Sequence, residues 1–515
     1  MDTVPLTRVG LCRFSTRSQQ LRMHAVANLF DPSEAQKTSP WTGPPVALLW
    51  DQSLVWGLVL VEALEAMAVP YRLVTAPHIR AQGLQKHRVL MVPGGWASHK
   101  ARALGADGLE QVRTFVQNGG GYVGFCGGAG LALAGASSLN LVPIHRKGLT
   151  QRLPNASGEV WIEGNPEHPL WKDLPPRIPV SIWWPSQFAW DNGLGVEAVA
   201  RYRGYGEDFW VADLCAADVT RCGARWQDWE KGYGINLNPA LLEGQAAILC
   251  CRVGKGMAVL SYPHLELPDG WGRRLLANIL NSLQNSCDPK AVEPSESLLA
   301  PPAPGTPLLS STELSSAVET PLETPDEDGH DGIVPAPSVP ALRALQEALE
   351  EAQSLIAFGE RHLLWRWRRP WLLQWQRGIR GLEYGFLLVC LRFVVSHCGR
   401  EKLQARASTP WDDLSQSLLE QTRLFCREAR KLLLYEKVAS HQGPVHKLQP
   451  VNAQVDALRE TLFGRGMSHT GLSQHIFDTL DALVYCTLVR RRLGDAAPGN
   501  FWMERCAKPP KHRRA

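Results

Sequence analysis

The sequence has little of what marks secreted, membrane-spanning or nucleic-acid-binding proteins. Its twelve cysteines in 515 residues form no C-x-x-C pair, which argues against a disulfide scaffold. No apolar run reaches the roughly 18 residues that a membrane span needs, and the longest candidate, 384–397, contains Arg392. The N-terminus lacks the apolar core of a signal peptide, and a net charge of +4 is too small to argue for nucleic-acid binding. These absences predict a cytoplasmic protein with no specific nucleic-acid partner.

Composition divides the chain into five segments. Residues 1–44 show little periodicity and are predicted to be a poorly ordered N-terminal segment. Residues 45–285 form one predicted α/β domain, and 286–338, rich in Pro, Ser, Thr and acidic residues, are predicted to be a disordered linker. Residues 339–495 are predicted to be an α-helical bundle, followed by a basic tail at 496–515.

Short apolar runs alternate with helix-like stretches in the α/β segment. The runs VALLW, YRLVTA, HRVLMVPGG and GYVGF predict strands, and LVWGLVLVEALEAMAV and GLEQVRTFVQNGG predict helices. This alternation is typical of a doubly wound (flavodoxin-like), mostly parallel sheet. Residues 150–262 are richer in strand-like sequence.

The helical segment contains an unusual mixture of tryptophan and arginine, WRWRRPWLLQWQR, at 365–377. One interpretation is a patch for a membrane surface or a nucleic acid, since indoles and guanidiniums suit both. The interpretation we favour is a helix–turn–helix corner broken by Pro370, with the tryptophans packed inward. The partner predicted for the helical domain is another protein or a membrane surface.

The glycine-rich stretch GGGYVGFCGGAGLALAG, residues 119–135, does not fit a nucleotide site. A phosphate-binding loop needs Lys-Ser or Lys-Thr after its glycines, and neither follows here. Gly119, Gly121 and Gly124 satisfy G-x-G-x-x-G, but they follow a predicted helix and open a strand, the reverse of a dinucleotide site. No cofactor is therefore expected.

Cys126 is the centre of a G-x-C-x-G pattern, Gly124 to Gly128, between an apolar strand and a small-residue helix. A nucleophile on such a turn has a strained backbone, so its neighbours must be small. A helix that begins at a cysteine favours the thiolate, and its first amides can stabilise an oxyanion. The pattern predicts a nucleophile elbow. The alternative is an inert, buried thiol.

Other candidate residues follow neighbouring predicted strands. Gly94 and Gly95 end HRVLMVP, where backbone N–H groups can face the crevice. His264 and Glu266 follow GMAVLSYP, and an H-x-E at a strand end can place an imidazole beside a thiol and orient it with the carboxylate. Asp51 ends the first strand and is a further pocket candidate.

Three segments, PGG at 93–95, GGGYVGFCGGAG and GKGMAVLSYPHLE, together resemble the class I glutamine amidotransferase-like fold. More narrowly, they resemble the biotin-protein ligase N-terminal domain family, over residues 45–285. The resemblance implies a Cys-His-Glu triad, with Cys126 as nucleophile, His264 as base and Glu266 as the orienting acid.

The resemblance also implies oxyanion donors and a reaction class. The donors are the backbone amides near Gly95 and Gly127. Gly94 and Asp51, at their strand ends, are further candidates for oxyanion or substrate binding. The implied activity is Cys-dependent amide hydrolysis or acyl transfer on a small-molecule amide or carboxylate-type substrate. No Gly-Arg-Gly-rich biotinyl-adenylate loop is present, so the chain is not expected to be a biotin ligase itself.

A non-catalytic function remains open beside this one. Ala129, Gly130 and Leu131 stand where glutaminases of this class usually carry a His-Gln pair. This difference favours a small-molecule-binding or regulatory module with a helical interaction domain. His441 and His446 lack cysteine or carboxylate partners at ligand spacing, so no metal site is expected.

Overall fold

The structure is a computed structural model that describes residues 41–286, 336–398 and 410–493, except 191, 269, 444, 446–448 and 466–469. The predicted N-terminal segment up to residue 40, the linker at 287–335 and the basic tail at 496–515 lie outside the described residues. We refer to 41–286 as the α/β region and to 336–493 as the helical region.

The strands are short, except for β9, and most belong to one sheet. They are β1 (Val46–Leu49), β2 (Tyr71–Val74), β3 (Val89–Val92), β4 (Gly121–Phe125), β5 (His145–Arg146), β6 (Ala156–Gly164), β7 (Arg177–Trp183), β8 (Phe188–Ala189), β9 (Val196–Val211), β10 (Leu214–Cys215), β11 (Ala246–Val253), β12 (Gly256–Ser261), β13 (Trp365–Arg369) and β14 (Leu372–Trp375). The main sheet has the order β2-β1-β3-β4-β12-β11-β9-β6-β7, and β10 pairs with β9.

The main sheet has a parallel half and an antiparallel half. Strands β2, β1, β3, β4 and β12 are parallel neighbours, whereas β11, β9, β6 and β7 continue the sheet with antiparallel pairings. Strands β1, β3 and β4 are buried along their whole length, as expected for parallel strands with both faces covered. The α/β fold class is confirmed, and the antiparallel half corresponds to the strand-rich sequence after residue 150.

Helices flank the sheet and make up most of the helical region. They are α1 (Leu54–Ala66), α2 (Ala76–Gln82), α3 (Ala97–Gln117), α4 (Gly127–Ala132), α5 (Ala216–Arg221), α6 (Trp226–Tyr233), α7 (Gly270–Ser286), α8 (Val339–Arg361), α9 (Leu382–Cys398), α10 (Pro410–Gln442), α11 (Ala453–Phe463) and α12 (Leu472–Leu493). The predicted helical C-terminal region is thus confirmed. Within the described ranges, no helix is long and apolar enough to cross a membrane.

Helix α1 is buried on nearly all of its faces. Its buried side chains share one apolar cluster with strands of the sheet, and it contacts α9 and α12 of the helical region. A helix that is apolar all round needs partners all round, and the letters LVWGLVLV reflect this requirement. Buried residues from both regions belong to one continuous apolar core.

Buried hydrogen bonds join α12 to the end of β1. Trp50 Nε1 donates to the Asp481 carbonyl oxygen at 2.9 Å, and the Gln52 backbone N–H donates to the Asp481 carboxylate at 3.2 Å. Because Asp481 is almost fully buried, losing these partners would leave polar groups without compensation. The helical region is therefore fixed against the α/β region.

The Trp/Arg-rich segment at 365–377 is a β-hairpin, so the predicted helix–turn–helix corner is wrong. Strands β13 and β14 pair antiparallel, and Pro370 lies between them, where its missing N–H interrupts no ladder. The letters WRWR have the two-residue alternation of a strand, which is the physical reason for the difference. Trp365 and Trp371 are nevertheless buried, in agreement with the inward packing that the same interpretation predicted.

The hairpin is anchored to the α/β region by Arg368. Its guanidinium donates to Ser157 Oγ at 2.9 Å and to the Asp208 carbonyl oxygen at 2.7 Å, with the Asp208 carboxylate 3.0 Å away. Gln374 Nε2 donates to the Ala212 carbonyl oxygen at 2.8 Å. These directional bonds set the position of the hairpin on the sheet.

We expect the two regions to remain associated after the chain between them is cut. A protease site introduced between residues 300 and 320 would allow the cut, and size-exclusion chromatography would show whether the fragments co-elute. Co-elution should persist at about 1 M NaCl, because an apolar interface is not screened by salt.

Asp481→Arg, which replaces the buried carboxylate by a larger cation and removes the bond to the Gln52 N–H, should release the cut fragments. Gln474→Arg, at an exposed position of the same helix, should leave them together and serves as the matched control. Fragments that separate in the otherwise unaltered chain would contradict a shared core.

Candidate active site

Cys126 occupies a strained turn between β4 and α4. Its backbone has φ 46° and ψ −101°, a conformation that costs a non-glycine residue on the order of 1–3 kcal/mol. Its N–H donates to the Ser261 carbonyl oxygen at 2.8 Å, and its own carbonyl accepts from the Gly130 N–H at 3.0 Å. These bonds hold the thiol at the carboxyl edge of β4 and β12, where α/β folds commonly bind ligands.

The glycines after Cys126 are required by close backbone approaches. A Cβ at Gly127 would overlap the carbonyl oxygen of Gly95, and one at Gly128 would overlap that of Val92. The two predicted oxyanion positions, Gly95 and Gly127, are therefore in direct backbone contact. Their role as oxyanion donors stays a prediction.

His264 and Glu266 follow β12 and form a buried pair. The imidazole Nδ1 lies 2.7 Å from Glu266 Oε1, and both side chains are fully buried. The His264 backbone N–H donates to the Ser181 carbonyl oxygen at 2.9 Å, which ties this segment to β7. The structure thus brings together the imidazole and the carboxylate that the sequence singled out.

The charge balance around His264 favours a protonated imidazole. Burial lowers the pKa of His264, but the Glu266 charge and interactions with the Cys126 thiol outweigh it and raise the pKa to about 9. Among the described residues, Nε2 makes no hydrogen bond of normal geometry. The approach of thiol and imidazole is therefore loose, which is common in sites without substrate.

Tryptophans enclose the pair. The Trp56 ring stacks on the His264 imidazole, with centroids 4.2 Å apart and an interplanar angle of 19°. On the other side of the site, the Cys126 thiol points to the Trp183 carbonyl oxygen at 3.9 Å, a weak contact. An aromatic ring therefore covers the imidazole, and a backbone carbonyl faces the thiol.

Lys100 is a buried cation that sequence reasoning missed. Its Nζ donates to Ser53 Oγ at 2.6 Å and to the Asp51 carbonyl oxygen at 3.1 Å. Burial lowers the pKa of Lys100 to about 7, against the opposing effect of the Asp481 and Asp51 charges. Its side chain also supports the loop at Gly95. No periodicity in ASHKARAL separates this lysine from a solvent-exposed one.

Asp51 and Gly94 are the two remaining predicted site residues. The Asp51 carboxylate accepts from the Ala76 N–H at 2.6 Å, so it holds the start of α2. Gly94 packs between Trp56 and His264, where a Cβ would lie 3.0 Å and 3.1 Å from their nearest atoms. Contact of Asp51 or Gly94 with a substrate stays a prediction.

Arg152 is a second cation that sequence reasoning missed. It donates to the Pro185 carbonyl oxygen at 3.2 Å and interacts electrostatically with Cys126. In the described part of the chain, no group of three or more His, Cys, Asp and Glu side chains is placed to hold a metal ion.

We expect Gly127→Ala to lower stability by about 1–3 kcal/mol, because the new Cβ would overlap backbone. Gly130→Ala is the matched control in the same helix, since its Cβ would meet only Ala97 Cβ at 3.6 Å. Chemical unfolding measures both. Equal stabilities of the two variants would contradict the close approach.

We expect Glu266→Gln to destabilise the protein more in acid than in base. A raised imidazole pKa contributes stability that is fully present below about pH 6.5 and is lost as the pH rises through about 9. The melting temperature of the variant should therefore lie furthest below that of the unaltered chain near pH 6.

The difference in melting temperature between Glu266→Gln and the unaltered chain should then become smaller toward about pH 9.5. Glu167→Gln, at an exposed carboxylate, is the control and should show no such trend. A gap that stays constant with pH would show that Glu266 does not stabilise an imidazolium.

A family model described as biotin-protein ligase, N terminal, matches residues 70–135. This segment runs from β2 through α4 and contains the glycines at 94–95 and the turn at Cys126. It ends before His264 and Glu266. The predicted resemblance is confirmed for this segment.

Several solved structures are similar to about half of the chain. A putative GMP synthase component from Thermoplasma acidophilum is 12% identical over 48% of this chain and 96% of its own, with a TM-score of 0.31. A glutamine amidotransferase from Thermotoga maritima is 9% identical over 47% of this chain and 99% of its own, also with a TM-score of 0.31. A putative ThuA-like protein from Bacteroides uniformis is 12% identical over 48% of this chain and 94% of its own, again with a TM-score of 0.31.

No curated protein matches the chain. TM-scores this low carry no argument, so the fold rests on the strand order and pairings of the chain itself. The chain contains an α/β region, and residues 70–135 of this region match the family model of the biotin-protein ligase N-terminal domain.

Proposed function

We propose that the α/β region is a cysteine-dependent amide hydrolase or acyl transferase acting on a small-molecule amide or carboxylate-type substrate. The observation that supports it best is the buried His264–Glu266 pair, 2.7 Å apart, which interacts with a thiol on a strained strand-to-helix turn. A nucleophile, a base and a group that orients the base are the parts that such a reaction needs.

In the proposed reaction, the Cys126 thiolate attacks the acyl carbon, and a carbon–sulfur bond forms as the carbonyl electrons move to oxygen. The amides at Gly95 and Gly127 stabilise that oxyanion. The carbon–nitrogen bond then breaks, and the leaving amine takes a proton from His264. Water, or an acceptor nucleophile, then gives a proton to His264 and bonds to the acyl carbon, and the carbon–sulfur bond breaks to return the Cys126 thiolate.

Glu266 acts on the imidazole and not on the substrate. Its carboxylate accepts from Nδ1–H, which leaves Nε2 facing the reacting atoms and favours the charged imidazole. The raised pKa of His264 favours a positive charge beside the Cys126 sulfur, where it would stabilise negative charge that develops during the reaction. Both effects depend on a site from which water is excluded.

A binding module without turnover is the second candidate. Two observations favour it: the His264 side chain is fully buried, and the Cys126 thiol is directed to the Trp183 carbonyl rather than to Nε2. Such a module would bind a similar small molecule in the same crevice without forming a thioester.

Alkylation of the full chain by iodoacetamide at pH 7, followed residue by residue by mass spectrometry, separates the two candidates. Cys126 is partly buried and Cys222 is exposed, so accessibility alone would make Cys222 the faster thiol. An activated Cys126 should nevertheless react on the order of tenfold faster than Cys222. His264→Ala should abolish this difference and leave Cys222 unchanged.

If Cys126 reacts no faster than Cys222, the activated nucleophile is ruled out and the binding module remains. If Cys126 is activated, a set of small amides and esters assayed with the unaltered chain and with Cys126→Ala identifies the substrate class. Turnover that survives Cys126→Ala would contradict the proposed role of this residue.

A further inference from the structure

Trp371 of the β13–β14 hairpin contacts both walls of the candidate site. Its ring lies edge-on to Trp56, with centroids 5.3 Å apart at 73°, and edge-on to Trp183, at 5.6 Å and 79°. Trp56 stacks on His264, and the Trp183 carbonyl faces the Cys126 thiol. One side chain of the helical region thus supports the residues on either side of the thiol and the imidazole.

Trp56 has little freedom to move away from the imidazole. Phe386 of α9 lies edge-on to it at 6.3 Å, which adds a second contact from the helical region. Gly94 closes the remaining side, since even a Cβ there would lie 3.0 Å from the Trp56 ring. Aromatic contacts of this geometry are favourable beyond the area that they bury.

The hairpin itself is held in place by the α/β region. Arg368 donates to Ser157 and to the Asp208 carbonyl, and its guanidinium also lies over the Trp183 ring, 5.0 Å from its centroid. The position of Trp371 is therefore determined by directional bonds and does not depend on apolar packing alone.

We propose that Trp371 is a positioning residue for His264. It presses Trp56 against the imidazole and keeps water from the His264–Glu266 pair, so the helical region completes the candidate site. Excluding water strengthens the attraction between the two charges and keeps the ring in one orientation. The catalytic meaning of this positioning rests on the proposed function, but the enclosure can be measured without it.

Exchange with water of the proton between His264 Nδ1 and Glu266 measures how well water is excluded from the pair. In the full chain, a buried imidazolium proton donated to a carboxylate should give a low-field NMR resonance, assigned by its loss in His264→Gln. Trp371→Leu, which keeps an apolar side chain but removes the ring, should speed exchange of this proton with water on the order of tenfold. Trp371→Phe, which keeps an aromatic edge, should largely restore slow exchange and covers the case in which Trp371→Leu fails to fold.

Trp367→Leu is the matched control, because this tryptophan lies in the same hairpin and its ring contacts Arg392 instead. It should leave the exchange rate unchanged. Equal exchange in Trp371→Leu and in the unaltered chain would overturn the inference, as would a complete lack of the resonance in the unaltered chain.

Cys126 alkylation on the same samples tests the proposed function separately. If Cys126 is unreactive while the Nδ1 proton is protected and depends on Trp371, only the proposed activity fails. If Cys126 is activated but Trp371→Leu changes neither the proton nor the reactivity, only the positioning role fails.

Discussion

The His264 imidazole and the Glu266 carboxylate lie inside this protein with no exposed side-chain surface, and the surrounding residues make that arrangement stable. An isolated buried charge is very costly, whereas a paired and hydrogen-bonded one is tolerated. His264 and Glu266 satisfy this condition through the 2.7 Å contact between Nδ1 and Oε1. The pair in turn requires a dry enclosure, because water would weaken the attraction that holds the imidazole charged.

The helical region provides part of that enclosure. Helix α1 is buried on nearly all of its faces because it shares a core with the sheet strands and contacts α9 and α12. It carries Trp56, whose ring lies on the imidazole, and the hairpin presses on this ring from outside. The two regions therefore share a core and act as one unit around the candidate site, although the chain between them is long.

Local sequence patterns are sufficient to predict the parallel half of the sheet and the turn at Cys126. Apolar runs ending in glycine predict strands, and a cysteine among glycines predicts a tight turn, since both depend on neighbouring residues. The approach of His264 to Cys126 needs a further premise, namely that the ends of adjacent parallel strands meet at one edge.

Lys100, Asp481 and Trp371 cannot be found in this way. Their roles come from contacts between residues far apart in the chain, such as the bond from Trp50 to Asp481. The β13–β14 hairpin is a different case. WRWR has the two-residue periodicity of a strand, but the apolar residues on both sides of it in the sequence recur with helical spacing, and this spacing favours the prediction of a helix. Pro370 does mark a break, but it separates two strands and not two helices.

We propose above all that Cys126 can accept an acyl group with the help of His264. The most direct test is intact-mass spectrometry of the full chain mixed with p-nitrophenyl acetate, a generic acyl donor. We expect a single acetyl group on Cys126, released by hydroxylamine and absent from the His264→Ala and Cys126→Ala variants. Acetylation of Cys126 to the same extent in His264→Ala, or none in the unaltered chain, would contradict it.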